Sequence, residues 1–272
     1  MAETGDRRAG TIFRNIRIAV LVSVLGVVLI YAWNDVRRRK ARTEWQSTVQ
    51  VALVLLEREP VQAAAMTQIK TRAPELENRL TAEMARYSGM REPRPFSFTI
   101  YGPIAVTAPP PRPADDSVAE LARHAWNTWL YFRDVDRRAE VEWRAADSRI
   151  YLVLRPPENE RRKTVEGQSE QGGRVGSVEV ELDESMVDFA LFVATHELFH
   201  TLGATDKYDA VGRARVPDGL PEPQRSPLYP QTSAEIMARN VVIASGQERP
   251  PDTLAELSVG PVTAREIGWL RP

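Results

Sequence analysis

The stretch that most constrains the fold is His196-Glu197-Leu198-Phe199-His200-Thr201-Leu202-Gly203-Ala204-Thr205-Asp206. On a helix, His196 and His200 fall one turn apart on the same face, where two imidazoles can hold one metal ion. Glu197, next to the first histidine, can then reach a water bound to that metal. A zinc site that does chemistry usually has three protein ligands and one position for water. Gly203 tolerates positive φ and suits a helix end followed by a sharp turn. That turn can bring Asp206 back as a third, oxygen ligand. Asp209, a little further on, and His124, on a separate predicted helix, compete with it for that role. The rival reading of the whole stretch is a buried helix with two hydrogen-bonded histidines and a salt-bridged Glu197. The chain has only three histidines and two of them fall here, which favours the metal.

Composition narrows the class. With 272 residues, 43% of them hydrophobic, the chain can form one sizeable globular domain plus an anchor. A net charge of −1 and the lack of an aromatic-interleaved basic groove leave no electrostatic case for a nucleic-acid partner. Cysteine is absent, which removes disulfides, thiolate metal ligands and a cysteine nucleophile, and suits an oxidising compartment.

Residues 18–33 (IAVLVSVLGVVLIYAW) carry no charge and are bracketed by Arg14 and Arg17 before and by Asp35 and Arg37-Arg38-Arg39-Lys40 after. This is near the lower length limit for a membrane-spanning helix, and Tyr31 and Trp33 stand where interfacial aromatics would. No small-x-small site follows to mark a cleaved signal peptide. A core helix is the weaker reading, since basic ends have little reason to sit inside a soluble domain. The expected organisation is a basic tail (1–17), a transmembrane anchor (18–34), a basic juxtamembrane linker (35–44) and a catalytic domain (45–272). Arg7, Arg8, Arg14 and Arg17 balance Arg37 to Arg42, so flanking charge does not orient the anchor. A single-pass membrane protein with its catalytic domain on the extracytoplasmic side is the expectation.

Further along, residues 49–56 (VQVALVLL) read as a strand covered on both faces. Pro60 and Val61 open a helical stretch to about Tyr87, with a break expected at Pro74. Phe96, Phe98 and Ile100 alternate with Ser97 and Thr99 in a half-buried strand. Ser117 and Glu120 match a capping box and start a helix with Leu121, Ala125, Trp126, Trp129 and Phe132 on a broad apolar face. His124 neighbours that face, as a core or rim histidine. Residues 150–154 read as a central strand and 158–173 as a loop. Val178, Val180 and Leu182 alternate with Glu179 and Glu181, a strand with one wet face. Ser185 with Asp188 can cap the next helix, which carries the histidine pair and is apolar on nearly every side, hence central. Residues 209–231, rich in Pro, Gly and Arg, form a surface loop, either a connection or a wall of the cleft. A short closing helix is expected over 262–269. The fold class is α+β, a mixed twisted sheet with a central HExxH helix.

HELFHTLGATD resembles the metzincin zinc-peptidase motif HExxHxxGxxH/D, in the Asp variant found in snapalysin-like and immune-inhibitor-A-like peptidases. Ile236-Met237 looks like the metzincin Met-turn. The resemblance covers roughly residues 45–270 in the order of elements, with specific motifs in two short pieces. It implies a metzincin-like (zincin) catalytic domain that holds Zn2+ through His196, His200 and Asp206, with Met237 beneath the metal. It also implies hydrolysis of a peptide or protein substrate, with Glu197 as general base. The strand ending at Leu182 is expected to offer its edge to an extended substrate. The sequence departs from the family where some members carry a tyrosine two residues after the methionine, because Arg239 stands there. No cysteine exists for a cysteine-switch propeptide, and the helix expected over Ser117 to Arg133 is an insertion or a replacement for strands of the family. Two rivals stand beside this reading, a catalytically silent binding module of the same fold and a zinc hydrolase of a non-peptide amide. Intact Glu197 argues against the first; the second uses the same water.

Overall fold

The structure, a computed structural model, describes residues 4–89, 93–112, 115, 117–157, 165–169 and 172–270. It divides into two compact units, residues 1–41 and 42–272.

In the first unit, helix α1 (Thr4–Thr43) carries the apolar run, and its large side chains from Ile18 to Ile30 are exposed. At 1.5 Å per residue the uncharged residues 18–34 reach about 25 Å, the short end of what spans a bilayer. Among the described residues, no helix is long and apolar enough to cross a membrane. Met1 to Glu3 lie outside the described residues, as do the side chains of Arg7, Arg8, Arg14, Tyr31, Asn34, Asp35, Arg38 and Arg39. These belong to the expected tail, anchor and linker.

The second unit begins at Arg42, inside the stretch expected as linker. Arg42 is buried, and its guanidinium donates to the carbonyls of Gly173 (2.9 Å) and Gly172 (3.3 Å) and to Ser148 Oγ (3.2 Å). Trp45 packs edge-on against Phe96 and Trp269 and donates its indole N–H to Ile267 O at 2.7 Å.

The unit is mixed α/β, as the α+β expectation has it. A five-stranded sheet is built from β1 (Val49–Glu57), β2 (Phe96–Ala105), β3 (Ser148–Arg155), β4 (Val165–Ser169) and β5 (Val175–Glu181), in the order β2-β1-β3-β5-β4. All its pairings are parallel except β4 with β5. The period-two alternation of each strand splits its side chains between two apolar layers. Val51, Leu53, Leu55, Ile150, Leu152, Val178 and Val180 face helices α2 (Ala63–Ser88) and α4 (Val187–Thr201). Ala52, Val54, Leu56, Tyr151 and Val153 form the smaller layer with Phe132 and Val135 of α3 (Val118–Arg138). A second, small sheet joins β6 (Ala234–Glu235), β7 (Val241–Ala244), β8 (Gln247–Arg249) and β9 (Leu257–Ser258), before α5 (Pro261–Glu266).

Several local expectations change. Helix α2 runs through Pro74 without a break. Proline there removes one helical hydrogen bond, while Ala65, Ile69, Ala73, Leu76 and Leu80 keep one continuous buried face across it. Strand β5 has no free edge, because β4, inside the expected loop, pairs along it. Asp183 rather than Ser185 caps the turn before α4, accepting from Ser185 N at 2.7 Å. Asp188 instead pairs with Arg72. Ser117 does cap α3, but its own N–H goes to Asp115 and not to Glu120.

The apolar face of α3 is only half used. Phe132 and Val135 are buried, whereas Leu121, Trp126 and Trp129 are exposed. Phe132, stacked on Tyr151 at 4.1 Å, joins the smaller layer. The two indoles stack on each other instead, 5.1 Å apart.

Candidate metal centre

Helix α4 supplies two of the three converging groups. Thirteen of its residues are buried, His196 and Glu197 among them, so the helix has little freedom to rotate within the core. Burial of each large apolar side chain stabilises the fold by roughly 1.5–3 kcal/mol, and Leu191, Leu198 and Phe199 hold this helix at 0% exposure.

Both imidazoles are oriented by backbone carbonyls. His196 Nδ1 lies 2.9 Å from Ile236 O, and His200 Nδ1 lies 2.9 Å from Ala204 O. A carbonyl oxygen only accepts, so each Nδ1 carries the proton, and in the neutral ring Nε2 presents a lone pair. Asp206 Oδ1 lies 3.3 Å from His196 Nε2 and 3.2 Å from His200 Nε2. That oxygen is buried and has no hydrogen-bond partner. The three atoms lie within 4.8 Å of one another and can hold a metal ion. Electron-rich atoms gathered this closely repel one another, and a cation between them removes the repulsion.

Local backbone brings Asp206 there. Gly203 adopts φ +103°, its N–H donates to His200 O (2.9 Å), and Ala204 N donates to Phe199 O (3.1 Å). A Cβ at Gly203 would meet nothing within 4 Å, so it is the backbone angle rather than lack of room that favours glycine. The residues on either side of Asp206 are tied down. Thr205 donates through N and Oγ1 to the Glu266 carboxylate, at 3.0 and 2.8 Å. Lys207 N donates to Met237 O at 3.0 Å, and its buried ammonium donates to Glu266.

Met237 is fully buried in the turn after β6. Glu235 holds that turn, accepting at Oε2 from Met237 N (2.6 Å) and Ala238 N (2.9 Å) and at Oε1 from Gly260 N (3.1 Å). Burial pushes the Glu235 carboxyl above its ordinary pKa, against the pull of these N–H groups.

Two further residues border the centre, and sequence reasoning missed the part they play. Tyr208 stacks on the His196 ring at 6.3 Å, and the Asp206 carboxylate helps to keep its hydroxyl protonated. Burial raises its phenol pKa to about 12. Arg239 lies over the Tyr208 ring, 4.2 Å from its centroid. The only sequence signal for Tyr208 is its place two residues after the candidate ligand Asp206, and for Arg239 its place two residues after Met237.

The charges around the centre are coupled. Burial works to raise the Asp206 pKa, but His196 and His200, close to its carboxylate, hold it well below the usual carboxylate range. Burial works to lower His200, yet Asp206, the Ala204 carbonyl and Glu197 bring it above the ordinary imidazole value. Glu197 is buried, and its Oε2 has no hydrogen-bond partner. The fold leaves that oxygen without a structural role, unlike the salt-bridged glutamate of the rival reading.

The other candidate ligands stand elsewhere. Asp209 is exposed and accepts at Oδ1 from Val211 N and Arg213 N, at 3.0 and 2.9 Å. His124 sits on α3 with Nδ1 3.4 Å from Thr128 Oγ1. The metal-binding group found among the described residues contains neither. Comparison with known protein families and with curated proteins finds nothing that matches the chain.

Proposed function

We propose that the chain is a zinc-dependent metallopeptidase, held to a membrane through residues 18–34. The observation that carries this reading is the meeting of His196 Nε2, His200 Nε2 and Asp206 Oδ1, in the company of a buried Glu197 with an unpartnered oxygen. Two imidazoles and one carboxylate suit zinc. Zinc bound there would acidify a coordinated water and polarise a carbonyl.

The chain's own residues account for the rest. Glu197 Oε2 accepts a proton from the attacking water and returns it to the leaving amine nitrogen, as the carbon–oxygen bond forms and the carbon–nitrogen bond breaks. Ile236 O and Ala204 O keep both imidazoles in the tautomer that leaves Nε2 free. Tyr208 flanks the His196 ring and walls that side of the centre. The outer edge of β4 offers main-chain pairing to an extended peptide, the part first expected of β5. The uncharged run of residues 18–33, with exposed apolar side chains along its described part, supports the anchor. The absence of cysteine suits a catalytic unit on the extracytoplasmic side.

The test is a peptide library offered to the zinc-loaded full chain and to Glu197→Gln. The variant should keep its metal and fold and lose roughly 10²–10⁴ of the rate. Hydrolysis within a few-fold of wild type would remove Glu197 as the base. A library left intact by the wild type would remove the peptidase reading itself. Protease accessibility of a C-terminal tag on intact cells checks the orientation.

A further inference from the structure

The arginines of the second unit are held in several ways: Arg42 and Arg174 donate to backbone carbonyls, and Arg133 and Arg144, both exposed, lie over the Trp129 and Trp143 rings. Arg58, Arg72, Arg149, Arg155 and Arg249 each pair with a carboxylate. Arg239 is half-buried, yet among the described residues its guanidinium makes no hydrogen bond or ion pair; it lies on the Tyr208 ring. Stacking on an aromatic face occupies the flat side of a guanidinium and leaves the N–H edge open. That edge is a planar fork that matches a carboxylate in a bidentate pair.

The backbone holds this side chain in place. Arg239 adopts φ +70°, a left-handed conformation that costs a non-glycine residue energy. The turn that carries Met237 imposes it, because Arg239 N donates to Glu235 O at 2.8 Å while the Glu235 carboxylate ties Met237 N and Ala238 N. The side chain thus leaves a braced turn and ends one aromatic ring away from His196. Glycine or asparagine would hold this conformation more easily, so the turn by itself has no need of an arginine.

We propose that Arg239 is a substrate-binding residue that takes a carboxylate adjacent to the bond being cleaved. That carboxylate is an Asp or Glu side chain or the free C-terminus of the substrate. The inference rests on the hydrolase reading for the position of that bond. Charge agrees with it. A divalent cation balanced by Asp206 and Glu197 leaves Arg239 as one net positive charge at the edge of the centre, which favours an anionic partner.

The test uses the zinc-loaded full chain and two matched peptide pairs. One pair, blocked at both ends, has Glu or Gln beside the scissile bond. The other has Gln there and a free or amidated C-terminus one residue beyond it. The member carrying the carboxylate should be preferred in at least one pair by roughly 10- to 100-fold in kcat/KM, the worth of one charge-assisted pair. The pair that shows the preference identifies the source. Arg239→Gln should erase it, bringing the ratio of charged to neutral member close to one, and Arg239→Lys should keep part of it. No preference in the wild type, or one that survives in Arg239→Gln, overturns the inference. So does an equal loss on charged and neutral peptides, which would make Arg239 a donor to the substrate carbonyl. If no peptide is cleaved, the hydrolase reading fails separately. Fluorescence-anisotropy binding of the same peptides to the metal-free full chain then decides for Arg239. Tighter binding of the carboxylate peptide, lost in Arg239→Gln, supports the inference; equal or absent binding overturns it.

Discussion

His196 Nδ1 lies 2.9 Å from the carbonyl oxygen of Ile236, 40 residues further along the chain. This contact joins the helix that supplies two converging imidazoles to the turn that buries Met237. It makes the ring's tautomer depend on that turn, and through it on the buried carboxylate of Glu235.

The metal assignment predicts a ligand set. The full chain should bind one zinc, and His200→Ala and Asp206→Asn should each lower the metal content measured by mass spectrometry. Asp209→Asn and His124→Asn should leave it near wild type, because neither side chain reaches the group. Undiminished zinc in Asp206→Asn would take the carboxylate out of the site.

Metal affinity should fall with pH in a definite direction. His200 has a raised pKa, so protons compete for it already above the ordinary imidazole value, and a protonated ring cannot ligate. Asp206 is held low and stays ionised over the same range. Affinity should therefore be full well above the raised His200 value and decline as pH drops through it. Competition with a chromogenic chelator from about pH 8 to about pH 5 measures this; a flat affinity would contradict it.

Glu235→Gln should weaken the centre without touching a ligand. An amide nitrogen in place of either oxygen would set a donor against the N–H groups of Met237 and Ala238 or against that of Gly260. The expected cost is roughly 2–4 kcal/mol, read as a lower Tm together with weaker zinc binding. An unchanged Tm would mean the turn is held by its surroundings instead.

Arg42→Ala tests where the folded unit begins. The substitution strands the carbonyls of Gly172 and Gly173, and Gly172 N itself donates to His200 O at 2.8 Å. A loss of roughly 2–4 kcal/mol is expected, with faster hydrogen exchange at Gly172. Wild-type stability and exchange would show that residues before Trp45 serve only as a connection.

Much of the site was legible because its chemistry is local. The 3.6-residue helical period alone sets His196 and His200 on one face, and Gly203 alone permits the reversal that brings Asp206 round. The buried strands β1 and β3 were legible as unbroken apolar runs. The missed features depend on neighbours. Pro74 reads as a breaker until the packed face of α2 carries the helix across it. Trp126 and Trp129 read as core until the sheet leaves them uncovered. Strand β4 carries no long apolar run, and its partner β5 makes it a strand.

The sequence by itself determined the helix that carries His196 and His200, the turn after it and the apolar strands, because each is set by residues within a few positions of one another. Only the tertiary structure decided that Glu197 Oε2 stays unpartnered, that Ile236 and Ala204 supply the orienting carbonyls, and that Arg239 rests on Tyr208. Most of these contacts join residues far apart in the chain, and all of them depend on how the surrounding elements pack. Periodicity and spacing carry no signal for such meetings; packing of the core brings them about.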